Sequence, residues 1–152
     1  MTRVQLHNRS VELVQQALSK CGFHVQAGGR RGGPPEAAGR FDLIVEDLTV
    51  AVRVAKRSTF PWSVMVAGKR YSYQYHGHRW NLHSHGSTRL RPDVWVFVAA
   101  VKPARFFVVL GRRVRGFYTL TLREPSKTWL LACENRWETI RELVAARHSR
   151  AA

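Results

Sequence analysis

Phe41-Asp42-Leu43-Ile44-Val45-Glu46-Asp47-Leu48-Thr49-Val50-Ala51-Val52-Arg53-Val54-Ala55-Lys56 reads as two strands joined by a tight turn near Asp47. The first, Arg40–Val45, carries an acid near its start, Asp42. The second, Thr49–Ala55, puts Val50, Val52 and Val54 on one parity and Thr49, Ala51, Arg53 and Ala55 on the other. Side chains alternate across a strand, so an acid on the first strand can face an acid and a lysine two residues apart on the second. Carboxylates in that layout hold Mg²⁺, and the lysine orients or activates an attacking water. Here one acid is missing from the place the layout requires.

Outward from this hairpin the pattern is α/β. Asn8 or Ser10 caps a first helix that runs to about Lys20, with Val11, Val14 and Leu18 at helical spacing and Gly22 as its stop. Phe23 to Gln26 is a short extended piece, and residues 27–39, AGGRRGGPPEAAG, form a flexible Gly/Arg/Pro loop. Residues 57–70 read as a further loop. Tyr71–His83 alternates polar and aromatic residues, as one strand or as two turning at His76-Gly77. Asp93–Val101 and Ala104–Leu110 are nearly continuously apolar, as central strands buried on both faces are, and Lys102-Pro103 turns between them. Phe117–Leu122 is another short strand. Glu134–Arg147 is a helix with Trp137, Ile140, Leu143 and Val144 on one face. The order α-β-β-β-β-β-α predicts a central mixed sheet flanked by helices, with residues 1–152 as one domain.

The chain has 152 residues, 25 Lys+Arg, 10 Asp+Glu and a formal net charge of +15. From Leu48 to Arg123 a single acid, Asp93, stands against 14 Lys or Arg. Such a surface repels itself until it meets a polyanion, which makes nucleic acid the leading partner. No basic amphipathic helix suits a membrane surface, and no apolar run approaches the ~20 residues that span a bilayer. Arg3, His7 and Arg9 break any apolar opening segment, so no signal peptide is expected. Cys21 and Cys133 make neither a disulfide framework nor a zinc site and are read as small buried apolar residues. A reducing, cytoplasmic setting follows from that usage.

The hairpin and the segments after it resemble the PD-(D/E)XK nuclease superfamily, in particular its small bacterial members. Phe41–Val45 followed by Val50–Ala55 resembles the family's core. Arg79-Trp80-Asn81-Leu82-His83, Pro92-Asp93-Val94-Trp95-Val96-Phe97-Val98 and Arg105-Phe106-Phe107-Val108-Val109 resemble its later strands, and Asn135-Arg136-Trp137 the start of its last helix. The resemblance covers most of the chain and implies a restriction-endonuclease-like core, DNA as substrate and Mg²⁺ or Mn²⁺ as cofactor.

The departures lie at the site. Asp42 matches the first metal-binding acid, but the second acid falls on Ala51 and the lysine on Arg53. A guanidinium stays protonated and does not activate water as a lysine does. Shifting the register puts Arg53 in the acid position and Ala55 in the lysine position, which is worse. Since sites in this superfamily migrate, Glu12 on the first helix is a candidate replacement acid. Glu46 and Asp47 near the turn are others, and Lys56 is a substitute for the lysine. Asp42 is the one metal ligand named, and only for an active enzyme. Without a metal, it is a strand-end acid pairing with Arg40 or Arg53.

His76, His78, His83 and His85 lie close together, but no Cys is near and the spacing fits no zinc module, so they are read as polar surface residues. Tyr71, Tyr73, Tyr75 and Trp80 are interleaved with basic residues. Cations that meet phosphates beside rings that stack on bases make a binding groove. Trp80 is assigned to the core. Arg30, Arg31, Arg53, Lys56, Arg57, Lys69, Arg70 and Arg79 are the candidate nucleic-acid contacts.

Three functions fit. The favoured one is a nucleic-acid-binding protein, DNA ahead of RNA, on a nuclease-like fold with an impaired catalytic site. The second is an active Mg²⁺- or Mn²⁺-dependent endonuclease, a phosphodiester hydrolase with a rearranged site of Asp42, Glu12 or Glu46, and Arg53 or Lys56. The third is a basic structural subunit of a larger protein or ribonucleoprotein assembly. A homodimer is compatible with all three.

Overall fold

The computed structural model describes residues 1–28, 41–82, 91–124 and 128–151. The loop expected over 27–39, with Arg30 and Arg31, lies outside the described residues from position 29 on, as do Arg40, His83 and His85. In chain order the elements are α1 (Arg3–Lys20), β1 (Val25–Ala27), β2 (Leu43–Val45), β3 (Leu48–Lys56), β4 (Ser58–Val66), β5 (Lys69–Asn81), β6 (Val94–Ala100), β7 (Arg105–Leu110), β8 (Thr119–Glu124) and α2 (Glu138–Ala151). Single 3₁₀ turns occupy Gly111–Val114 and Trp129–Cys133.

The chain is a mixed α/β fold in three layers. The central sheet has the order β1-β2-β3-β6-β7; β3 and β6 run parallel and the other pairs antiparallel. One parity of its inner strands, Val50, Val52, Val94, Val96, Val98 and Val108, packs with Val14 and Leu18 of α1 and Ile140 of α2. The other parity, Ala51, Trp95, Phe97, Ala99, Phe107 and Val109, packs with Trp80, Leu82, Leu120 and Leu122. Those four belong to or adjoin a second, antiparallel sheet of order β4-β5-β8. Helices therefore cover one face of the central sheet and a small sheet covers the other. The nearly continuous apolar runs of β6 and β7 have water on neither side, as expected.

Several boundaries differ from the sequence reading. α1 begins at Arg3, because Thr2 and Gln5 form a reciprocal capping box, and Ser10 is buried inside the helix with its hydroxyl on the Leu6 carbonyl. Residues 57–70 are not a loop. They supply β4 and the start of β5, joined at Ala67-Gly68, whose φ of 51° and 80° suit a two-residue hairpin turn. Nor does the chain turn at His76-Gly77, since β5 runs straight through. There β8 passes so close that a Cβ on Gly77 would stand 2.2 Å from the Leu122 carbonyl oxygen, which only glycine avoids. The last helix starts at Glu138 rather than Glu134, after the 3₁₀ turn. Cys133 is buried, which raises its thiol pKa, whereas Cys21 is half-buried at the end of α1. Among the described residues no helix is long and apolar enough to cross a membrane.

Two carboxylates tie elements together. Asp93 accepts from the Thr49 N–H at 2.9 Å and hydroxyl at 3.1 Å, and pairs with Arg147 of α2. Glu134 receives both arms of the Arg105 guanidinium, each at 2.9 Å. That hydrogen-bonded cation holds the Glu134 carboxyl below the usual glutamate range, against a smaller opposing effect of burial. A carboxyl with a depressed folded pKa stabilises the fold above its unfolded pKa, and the contribution is lost as pH falls through the folded value. Glu134→Gln is therefore expected to cost at most about 1 kcal/mol at neutral pH, the pair being partly solvent-screened. The difference from the parent should shrink toward zero as pH falls from the unfolded glutamate range through the lower folded value. Urea midpoints across the acid range check this; a pH-independent difference would contradict it.

Candidate functional site

The register Leu43↔Val50 sets Asp42 across from Ala51. Asp42 Oδ2 accepts the Val52 N–H at 2.7 Å, and Oδ1 lies 2.8 Å from His7 Nε2, reached from α1. A carboxylate only accepts, so the imidazole donates. Arg53 Nη1 stands 3.9 Å from Oδ2, and the same guanidinium donates to the Val52 carbonyl at 3.0 Å and lies 5.2 Å from the centre of the Trp95 ring. The side chains of Asp42 and Arg53 are 17% and 23% exposed. Ala51, at 0% exposure, packs in the apolar core beside Trp95.

The helix that the sequence reading looked to for an acid does reach Asp42, but it brings His7. Glu12 is exposed, pairs with Arg9 at 3.5 Å and sits on the side of α1 away from the buried Ser10, Val14 and Leu18. Glu46 accepts the His24 N–H at 2.7 Å, so its carboxylate braces β1 against the β2–β3 turn. Asp47 is in that turn with φ 68°. Lys56 is exposed at the end of β3. Among the described residues no three or more His, Cys, Asp or Glu cluster to hold a metal ion.

These residues do not fit Mg²⁺. The ion takes near-octahedral oxygen ligands, with one or two carboxylates from the protein. Here one carboxylate is present, both of its oxygens already accept N–H donors, and a guanidinium stands beside it.

The second sheet carries the other candidates. β5 pairs with β8 only from His76 to Asn81, so Lys69–Tyr75 and their partners in β4 project as a two-stranded arm. On its outward face Phe60 meets Tyr75 at 5.5 Å, Trp62 meets Tyr73 at 5.4 Å, and Val64 lies across from Tyr71. Cations lie on these rings: Arg79 on Phe60 at 4.2 Å, Arg123 on Trp62 and Tyr75 at 5.6 and 5.4 Å, Lys69 on Tyr71 at 5.5 Å. Arg79 also donates to the Tyr75 hydroxyl at 3.0 Å. Trp62 and Tyr73 remain 46% and 50% exposed. Arg57 pairs with Glu124 at 3.1 Å, and Arg70 is exposed on the opposite face. Phe60, Trp62 and Arg123 were missed, although Phe60, Trp62 and Val64 alternate as a strand does. Pro61 obscured the signal.

The histidines separate. His78 is not a surface residue: it is buried, with Nδ1 3.0 Å from the Ala55 carbonyl and its ring stacked on Trp80. His76 meets the Thr59 hydroxyl at 2.9 Å.

The three-layer arrangement is an endonuclease-like mixed α/β fold. Among solved structures it is similar to the bacterial homing endonuclease I-Ssp6803I, with a TM-score of 0.60 over 96% of this chain and 94% of that one, at 17% sequence identity. No family model matches the chain, and no curated protein does.

Proposed function

We propose that this chain is a DNA-binding protein of PD-(D/E)XK ancestry whose catalytic centre has become a structural tie. The observation that carries the reading is the Asp42 carboxylate bound by His7 and the Val52 N–H, with Arg53 beside it and buried Ala51 opposite. The net charge of +15 and the likeness to a homing endonuclease support nucleic acid as the partner. Phosphates would dominate affinity. Arg53, Lys56, Arg57, Lys69, Arg70, Arg79, Arg30 and Arg31 are the proposed contacts, and the setting is cytoplasmic.

The test pairs cleavage with stability. Plasmid, branched and single-stranded DNA are incubated with Mg²⁺ or Mn²⁺ beside an Asp42→Ala variant. Under this reading neither protein cuts, both bind, and Asp42→Ala lowers folding stability by about 1–3 kcal/mol, because the buried Val52 N–H loses its acceptor. Metal-dependent cleavage that disappears in Asp42→Ala would overturn the reading in favour of a working endonuclease with a rearranged site.

A further inference from the structure

The two faces of the β4–β5 arm differ in chemistry. The outward face is internally engaged: rings pack on rings, and Lys69, Arg79 and Arg123 lie on the rings. Arg123 belongs to β8, so its stacking on Trp62 and Tyr75 braces the arm against the body of the protein. The opposite parity carries Ser63, Arg70, Ser72 and Gln74, all exposed, with Pro61 across from Gln74 and Met65 across from Arg70. Among the described residues, none of these four side chains has a hydrogen-bond partner. A stiffened ribbon thus presents four unengaged polar groups, beside the apolar Pro61 and Met65.

Those residue types are the ones that read base edges. Arginine pairs with guanine O6 and N7, glutamine with adenine N6 and N7, and serine with either. A two-stranded ribbon fits the major groove of B-DNA, about 12 Å wide, whereas the deep, narrow major groove of A-form RNA excludes side chains. Seven residues, Lys69–Tyr75, extend beyond β8, a reach of roughly 24 Å. The arm also follows the Asp42 site in the chain: Arg53 precedes the first residue of β4, Ser58, by five positions, at most about 17 Å of chain.

We infer that the β4–β5 arm is a sequence-reading ribbon for the major groove of duplex DNA, with Arg70, Gln74, Ser63 and Ser72 facing the bases. The inference rests on the DNA-binding reading and adds to it a substrate form and a specificity element.

The experiment is selection of a random duplex DNA pool on the full chain, followed by competition binding of the enriched sequence against the unselected pool. Parent protein, Arg70→Ala/Gln74→Ala and Arg70→Lys are compared, with circular dichroism verifying the fold. The parent should enrich a short motif. Arg70→Ala/Gln74→Ala should lower the preference for it by about 5- to 150-fold per lost bidentate contact. Arg70→Lys should lower the preference while leaving the salt dependence unchanged, because the charge stays and the planar fork goes. It decides the matter if the double variant misfolds. Unchanged preference in the folded variants overturns the arm's role. Duplex binding with no enriched sequence overturns the inference and leaves the DNA-binding reading intact. No binding to any DNA overturns both.

Discussion

Raising salt from about 50 to 200 mM is expected to weaken duplex DNA binding by about 10³-fold or more. The acids Glu12, Asp42, Asp93, Glu124 and Glu134 are each already matched by an arginine within the fold. With 25 Lys+Arg against 10 Asp+Glu, most of the cations have no acidic counterpart in the chain itself. Each phosphate they neutralise releases condensed counterions and contributes about −0.9 to the slope of log affinity against log salt. Six phosphate contacts correspond to a slope of about −5. Fluorescence anisotropy on one duplex at several salt concentrations measures it. A flat slope would sink the polyanion reading, and Lys69→Ala or Lys56→Ala should each reduce the slope by about 1.

Trp80→Ala should cost about 3–5 kcal/mol of folding stability, the largest effect expected of a single change in this chain. Trp80 is 1% exposed and touches both sheets from its place on β5. Its ring stacks on His78 at 5.8 Å and meets Phe97 and Phe107 of the central sheet at 5.5 and 6.0 Å, and its Nε1 donates to the Val98 carbonyl at 3.0 Å. Truncation removes the burial, leaves a cavity between two sheets that cannot collapse freely, and takes a donor from Val98. Against the 5–15 kcal/mol that separates folded from unfolded domains, that loss is a large share. Trp80→Phe keeps a ring and should cost clearly less. Urea denaturation of both variants measures the difference. A Trp80→Ala loss under about 1 kcal/mol would mean that the small sheet is not clamped as described.

The central sheet was legible because its strands declare themselves chemically. Asp93–Val101 and Ala104–Leu110 have no polar face, and the β2–β3 hairpin has Glu46-Asp47 at a turn where both residues take positive φ. Strand alternation put Ala51 and Arg53 on one parity, and the family resemblance set them against Asp42. Arg53 was expected beside Asp42 and is there, but His7 was not foreseen: it lies 35 residues away on a helix whose rotation depends on how Val14 and Leu18 seat on the sheet. One residue of helix is about 100° of rotation, so choosing His7 over Glu12 as the residue that reaches Asp42 needed tertiary packing. The β4–β5 arm was missed for a different reason. Its turn is Ala-Gly rather than Asn-Gly, and Pro61 sits in a strand that tolerates it, because the outer edge of β4 pairs with no described strand.

Beyond Ser58 and His76 the arm's two strands pair only with each other, and they close through two residues, Ala67-Gly68. Each cross-strand pair added or removed at that tip changes the reach by about 3.4 Å, the same length as one base-pair step along a strand of B-DNA. The core would not register the change, since its contacts end below the arm. Under the proposed reading the hairpin tip is a ruler graduated in base pairs, and single-pair insertions would lengthen or shorten the stretch of duplex within its reach.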